Sequence, residues 1–183
     1  MGQTTFFVVC RFEGMTIFTV GHSTHPADEF LRILRVYEIE LLADIRTVPR
    51  SRKNPQFDQH AFERLLEKER IAYRHLAGLG GLRHARKDSR NTGWKNASFR
   101  GYADYMQTPE FARALEELID LAAEQTTAIM CAEAVPWRCH RSLVGDALLA
   151  RAIDVQDIFS GTQVRAHKMT PFAKVHGLDV TYP

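Results

Sequence analysis

The stretch T-T-A-I-M-C-A-E-A-V-P-W-R-C-H-R-S-L-V-G-D-A-L-L-A-R, Thr126 to Arg151, reads as a strand, a loop and a helix, and that order decides the fold. Thr126 to Met130 is an apolar run of strand length, and Ser142 to Arg151 sets Leu143, Ala147 and Leu148 on one helical face. Between them the loop gathers the thiols of Cys131 and Cys139, the Glu133 carboxylate, the Trp137 indole, the His140 imidazole and the guanidiniums of Arg138 and Arg141. Cys131 therefore sits where a strand ends, and Cys139, His140 and Arg141 where a helix begins. In an open α/β sheet, strand carboxyl ends and helix amino ends converge on the edge where ligands bind.

Working outward, the same alternation recurs. Thr16 to Val20 is a first strand, followed by G-H-S-T-H-P with Pro26 suited to a first helical position, and Phe30, Leu31, Leu34 and Tyr37 give the next helix its apolar face. Glu40 to Ile45 is a second strand ending in D-I-R-T-V-P-R-S. Asp58 is a candidate cap for a helix that buries Phe62, Leu65 and Leu66. Ile71 to His75 is a third strand, and Thr108 and Pro109 start a helix carrying Phe111, Leu115, Leu118 and Ala122 at helical spacing. Val155 to Ile158 is a last strand. No internal repeat or linker interrupts the pattern, which predicts one α/β domain with a mostly parallel sheet and helices on both faces.

The chain has 183 residues, 45% of them hydrophobic, enough for a single domain with a buried core. That domain is read over residues 15–183, with residues 1–14 as an N-terminal extension, because Met15 opens a natural first strand and F-F-V-V-C-R-F-E-G before it fits poorly. Met15 is thus an alternative start to Met1, and Cys10 is left out of the chemistry. Three cysteines do not suggest a disulfide framework. No apolar run has the length of a membrane span, and the opening M-G-Q-T-T-F-F-V-V-C has neither the basic nor the long apolar region of a signal peptide. Phe6 stands where a myristoylation signal has Ser or Thr. A cytoplasmic protein without membrane association is the resulting expectation.

The net charge of +2 hides an asymmetry: Arg46 to Arg100 holds 14 Lys and Arg against 5 Asp and Glu, a local +9. Phe57, Tyr73, Trp94 and Phe99 are interleaved there, and G-L-G-G-L-R-H-A-R-K-D-S-R-N-T-G-W-K-N, Gly78 to Asn96, reads as a loop. Such a segment favours an anionic partner, either a phosphate-bearing small molecule or a nucleic acid. The plainer reading is a solvated loop.

Polar residues fall at equivalent positions after successive strands: His22 and Ser23, Asp44 and Arg46, His75, and Cys131. Asp44 and Arg46 lie on one side by strand periodicity, so they can pair or share a ligand. Each residue alone also has a structural explanation, Asp44 as a turn cap, His22 bonded to a carbonyl, Cys131 as a small buried hydrophobe. Together they predict one concave site at the carboxyl edge.

The motifs G-H-S-T at Gly21, D-I-R-T-V-P-R-S at Asp44, N-P-Q-F at Asn54, N-A-S-F-R-G-Y-A-D-Y-M at Asn96 and C-A-E-A-V-P-W-R-C-H-R at Cys131 together resemble the family catalogued as domain of unknown function 488. The resemblance runs from about Met15 to about Ile158 and implies a compact α/β domain without naming a reaction. The layout of a strand ending in Asp-x-Arg and a later one ending in Cys is also similar to rhodanese and cysteine-phosphatase domains. In those folds the strand-end thiolate is held before a helix, but here the loop is longer and Glu133, Pro136 and Trp137 interrupt the cradle, so the likeness is one of fold.

Three functions compete. The first is an enzyme, a cysteine-dependent transferase or hydrolase acting on an anionic, phosphate- or nucleotide-like molecule. Cys131 is its nucleophile, Glu133, His22 and Asp44 its acid/base candidates, and Arg46, Arg138, Arg141, Ser23 and Trp94 its substrate-binding candidates. Arg138, Arg141 and the helix start are expected to depress the Cys131 pKa. The second is a metal or redox site of Cys131, Cys139 and His140, with His22 as a further candidate. The spacing of the two cysteines is not a usual zinc spacing, and the adjacent Cys139 and His140 would diverge if already helical, so stoichiometric metal is not expected. The third is a nucleic-acid-binding module, for which no recognised motif appears. Trp137, beside Pro136, is read as packing and Trp94 as ligand-facing. No cofactor is legible.

Overall fold

The computed structural model describes residues 14–183; Cys10 and nearly all of the proposed 1–14 extension lie outside the described residues. The chain alternates β1 (Thr16–Gly21), α1 (Ala27–Val36), β2 (Leu41–Asp44), α2 (Gln59–Lys68), β3 (Ala72–His75), α3 (Ala97–Tyr105), α4 (Pro109–Ala122), β4 (Thr127–Cys131), α5 (Arg141–Leu149) and β5 (Asp154–Ser160). It then adds β6 (Gln163–Ala166) and a hairpin of β7 (Lys174–His176) and β8 (Asp179–Thr181). β1 to β5 are parallel, and β6 joins β5 antiparallel, in the order β3-β2-β4-β1-β5-β6. The predicted α/β class with a mostly parallel sheet is therefore the observed one.

Alternation along the strands builds two cores. Leu42, Ala128 and Met130 face α1 and α2, where they meet Phe30, Leu34, Phe62 and Leu66. Ala43, Ile129 and Cys131 face the opposite side, with Tyr102 of α3, Leu115 and Leu118 of α4, and Leu143 and Ala147 of α5. Strands buried on both faces read as near-continuous apolar runs, which is why β2 and β4 were legible.

Neighbouring β1 and β4 thus send their following helices to opposite faces. A sheet opens a crevice at the carboxyl ends of such a strand pair. Gly21 and Cys131, partners in register, stand at that point.

Helix α3 went unread because Gly101 interrupts its sequence pattern. The structure explains that glycine: a Cβ there would lie 2.6 Å from the Arg83 carbonyl oxygen. Asn96 caps the helix, its side chain accepting from the Ser98 and Phe99 amides. Asp58 is the residue before α2, yet its carboxylate accepts the Ser51 amide (2.7 Å) and makes no cap bond. Strands β6, β7 and β8, largely exposed, lie outside the alternation that the sequence revealed. No helix among the described residues is long and apolar enough to cross a membrane.

Candidate functional site

The loop after β4 is held from below by extension of the sheet. The His22 amide donates to the Cys131 carbonyl (2.9 Å), Ser23 to that of Ala132 (3.0 Å), and Ile45 to that of Met130 (3.0 Å). From the other side Arg141, fully buried, donates through its guanidinium to the carbonyls of Glu133 and Ala134. Arg141, expected to clamp an anion, instead satisfies the loop's own acceptors. Gly21 permits the close approach, since a Cβ there would meet the Glu133 carbonyl oxygen at 1.9 Å.

Behind this loop sits a buried ionic cluster. The Asp44 carboxylate accepts from the Arg46 amide (3.0 Å), from Arg46 Nε (2.9 Å) and Nη2 (2.5 Å), and from the Tyr73 hydroxyl (2.8 Å). Arg46 also donates to the Phe57 carbonyl (2.9 Å) and points Nη1 at His22 Nε2 (3.4 Å). His22 stacks on Phe57 and bonds the Ser23 carbonyl through Nδ1. Burial, with the Arg46 charge adding to it, pushes the His22 pKa down, so the ring faces Arg46 as a neutral acceptor. Burial and the neighbouring Asp44 charge push the Tyr73 hydroxyl well up, leaving it a protonated donor. His75, at the end of β3, bonds the Arg46 carbonyl (2.8 Å).

In front lies a cleft of about 430 Å³ whose walls include Cys131, Glu133, Cys139, His140 and the guanidinium-bearing Arg46, Arg50 and Arg138. His140 Nε2 bonds the Ile45 carbonyl (3.0 Å), so in the neutral ring Nδ1 is the acceptor; it stands 3.9 Å from Cys131 Sγ and 3.7 Å from Cys139 Sγ. The ring leans on Tyr102 and occupies space that a side chain at Gly81 would take. The Cys131 pKa lies well below the ordinary thiol value because the Cys139 thiol hydrogen-bonds it, with the His140 ring and the Glu133 amide adding to the effect against burial. Burial and the adjacent Cys131 push Cys139 well up. The proton thus leaves Cys131 first.

The expected agents were different. Arg138 and Arg141 are not among the leading causes at Cys131, and the amide that opens α5, Arg141 N–H, points at Cys139 Sγ (3.5 Å). Nor do Cys139 and His140 diverge. The helix starts only at Arg141, and Cys139 has extended backbone (φ −134°, ψ 146°), so its thiol and the His140 ring turn toward Cys131. The three donor atoms lie within 4.8 Å of one another.

The cleft gathers Cys131, Glu133, Arg46 and Arg138 from the expected set; Ser23 and the buried His22 and Asp44 are not on its walls. Trp94 lies elsewhere, stacked on Phe99 and edge-on to Phe172, and Trp137 is 62% exposed where packing was expected. Arg50, Gly81, Tyr73 and Tyr102 were missed. Arg50, Gly81 and Tyr102 stand inside stretches quoted above, and Tyr73 two residues before the strand-end His75, but no spacing set them apart as site residues.

Residues 26–148 match the family described as Domain of unknown function DUF488. No curated protein and no solved structure matches the chain.

Proposed function

Since this chain belongs to the DUF488 family, whose name assigns no reaction, we propose its function from the cleft itself: a cysteine-dependent transferase or hydrolase acting on an anionic small molecule. The observation that carries the reading is the pairing of Cys131 Sγ with His140 Nδ1, the ring being held by Ile45, under a cleft bearing Arg46, Arg50 and Arg138. A nucleophile, a base and a group orienting that base form the minimal unit of covalent catalysis. Arg50 and Arg138 supply charge complementarity for phosphate- or carboxylate-like groups, the Arg46 charge being already paired with Asp44.

The chemistry runs in two steps. The Cys131 proton passes to His140, the thiolate sulfur attacks the electrophilic centre of the substrate, and the leaving group departs with the proton from His140. Water or an acceptor then gives a proton back through His140 or the exposed Glu133 and displaces the thiolate. Asp44 and His22 act as positioning residues through Arg46.

Alkylation by iodoacetamide, mapped to individual cysteines and followed against pH, tests the reading. Cys131 is expected to react with a midpoint clearly below that of an ordinary thiol, and His140→Ala is expected to raise that midpoint. A Cys131 unreactive at neutral pH in the native protein overturns the nucleophile.

A second reading rests on the convergence of Cys131, Cys139 and His140 within 4.8 Å. Cys131, Cys139 and His140, whose other ring nitrogen bonds the Ile45 carbonyl, would hold a zinc ion through two thiolates and an imidazole, which would supply Lewis-acid chemistry at the cleft. Elemental analysis of the purified protein decides between them: about one equivalent of metal, lost in Cys131→Ser, favours the metal centre, and its absence the free thiolate.

A further inference from the structure

A second cleft, also of about 430 Å³, opens on the other side of the Pro136–Arg138 turn. That turn presents Arg138 to the cysteine cleft and Trp137 to this one. One wall is the exposed Trp137 indole with Phe159, ring centres 5.9 Å apart. Phe172, 38% exposed and edge-on to Trp94 at 5.0 Å, also lines the cleft. Exposed aromatic rings facing a concave space are unusual in a monomeric surface and mark ligand sites.

The charges that carry no ionic partner within the cleft have one sign. Arg165 and Lys168 stand exposed in the cleft, and neither has a carboxylate partner among the described residues. The Arg165 guanidinium lies 5.5 Å from the centre of the Phe159 ring. The one carboxylate in the wall, Asp157, is already engaged by Thr19 (2.6 Å) and by His167 (2.9 Å). The buried indole N–H of Trp94 has no acceptor among the described residues.

We infer that this cleft binds a nucleobase carrying a phosphate, the base stacking on Trp137 and Phe172 and the phosphate meeting Arg165 and Lys168. Aromatic faces accept a base through its π surface, and unpaired cations supply the matching charge for a phosphate. The volume falls within the range of small-molecule pockets. The same chemistry has two sources, a free nucleotide and a single-stranded nucleic acid. The inference does not depend on catalysis at Cys131.

Calorimetric titration of the full chain with adenosine monophosphate, with inorganic phosphate and with a short single-stranded oligonucleotide tests it. Saturable binding of the nucleotide or the oligonucleotide is expected, with the tighter partner per phosphate identifying the source. Affinity should fall about tenfold or more in Trp137→Ala. It should fall several-fold in the Arg165→Gln, Lys168→Gln double variant, with a smaller salt dependence than wild type. Both sets of substitutions are at exposed positions, and an unchanged thermal transition checks that the variants fold. Absence of binding by either base-bearing probe, binding of inorganic phosphate as tight as that of the nucleotide, or an affinity unchanged in Trp137→Ala overturns the inference.

Discussion

Asp44 and Arg46 are a pair that strand periodicity brings to one side and burial makes costly to break. Asp44 is fully buried and Arg46 is 6% exposed, so neither charge is solvated by water. In Asp44→Asn the Arg46 charge would keep its Phe57 carbonyl contact but lose its counter-charge. Removing one partner of a buried pair costs about 3–5 kcal/mol, and equilibrium urea unfolding of Asp44→Asn should show a loss of that size. Tyr73→Phe, which removes a single donor to the same carboxylate, should cost about 1–2 kcal/mol. Equal losses in the two variants would mean that the ion pair contributes little. Arg141 is the contrasting residue. Its type suggested a ligand clamp, yet its two carbonyl contacts make it a fastening of the loop, a distinction invisible without the fold.

At the level of elements, the site depends on the register of β1 and β4. Gly21 sits opposite Cys131, and its missing side chain lets the loop carrying Glu133 fold back over the strand end. A methyl there would meet backbone, which cannot swing aside as a side-chain tip does. Gly21→Ala should therefore destabilise by about 1–3 kcal/mol and also raise the pH midpoint of Cys131 alkylation, because the Glu133 amide moves away from the thiolate. Thermal unfolding together with the alkylation profile checks this, and a destabilised variant with an unaltered profile would separate the loop from the thiol chemistry. The extended Cys139 before α5 is the other decisive element boundary. One residue of earlier helix start would turn its thiol away from Cys131.

At the scale of the whole molecule, an ionic cluster joins the last parallel strand, α5 and the C-terminal segment. His167 bridges Asp157 of β5 and Asp146 of α5, and Asp146 also accepts from the Thr170 amide and the Tyr182 hydroxyl. Burial opposes the charged imidazole, but the two carboxylates prevail and hold the His167 pKa up at about 9. A folded-state pKa above the unfolded value means stability that is fully present below about pH 6.5 and is lost as pH rises through about 9. The loss should be on the order of 3 kcal/mol. The wild-type stability minus that of His167→Gln, from urea unfolding at several pH values, isolates the contribution from the thiols that titrate nearby. A difference that does not shrink between pH 6.5 and 9.5 would show that the histidine is neutral in the fold. The basic middle segment is likewise distributed by the fold: Arg83 lies over Tyr105 at 3.6 Å and donates to the Gly80 carbonyl, Arg86 pairs with Asp88, and Arg50 reaches the cysteine cleft.

The sequence by itself determined the alternation of β1 to β5 with the helices α1, α2, α4 and α5, the family, and the sheet edge on which the reactive residues fall. These are local matters: apolar periodicity reports which faces are buried, and a strand-to-helix boundary reports which edge a residue occupies. It left α3 and the three C-terminal strands unread, since a glycine needed for close packing and short exposed strands carry little periodic signal. Only the tertiary structure decided the partners. It set His140 rather than an arginine beside Cys131, spent Arg141 on the loop backbone, withdrew His22 and Asp44 behind the cleft, and moved Trp94 to a different one. Such choices depend on the distances between atoms brought together from separate strands and turns, and no local pattern of residue types encodes them.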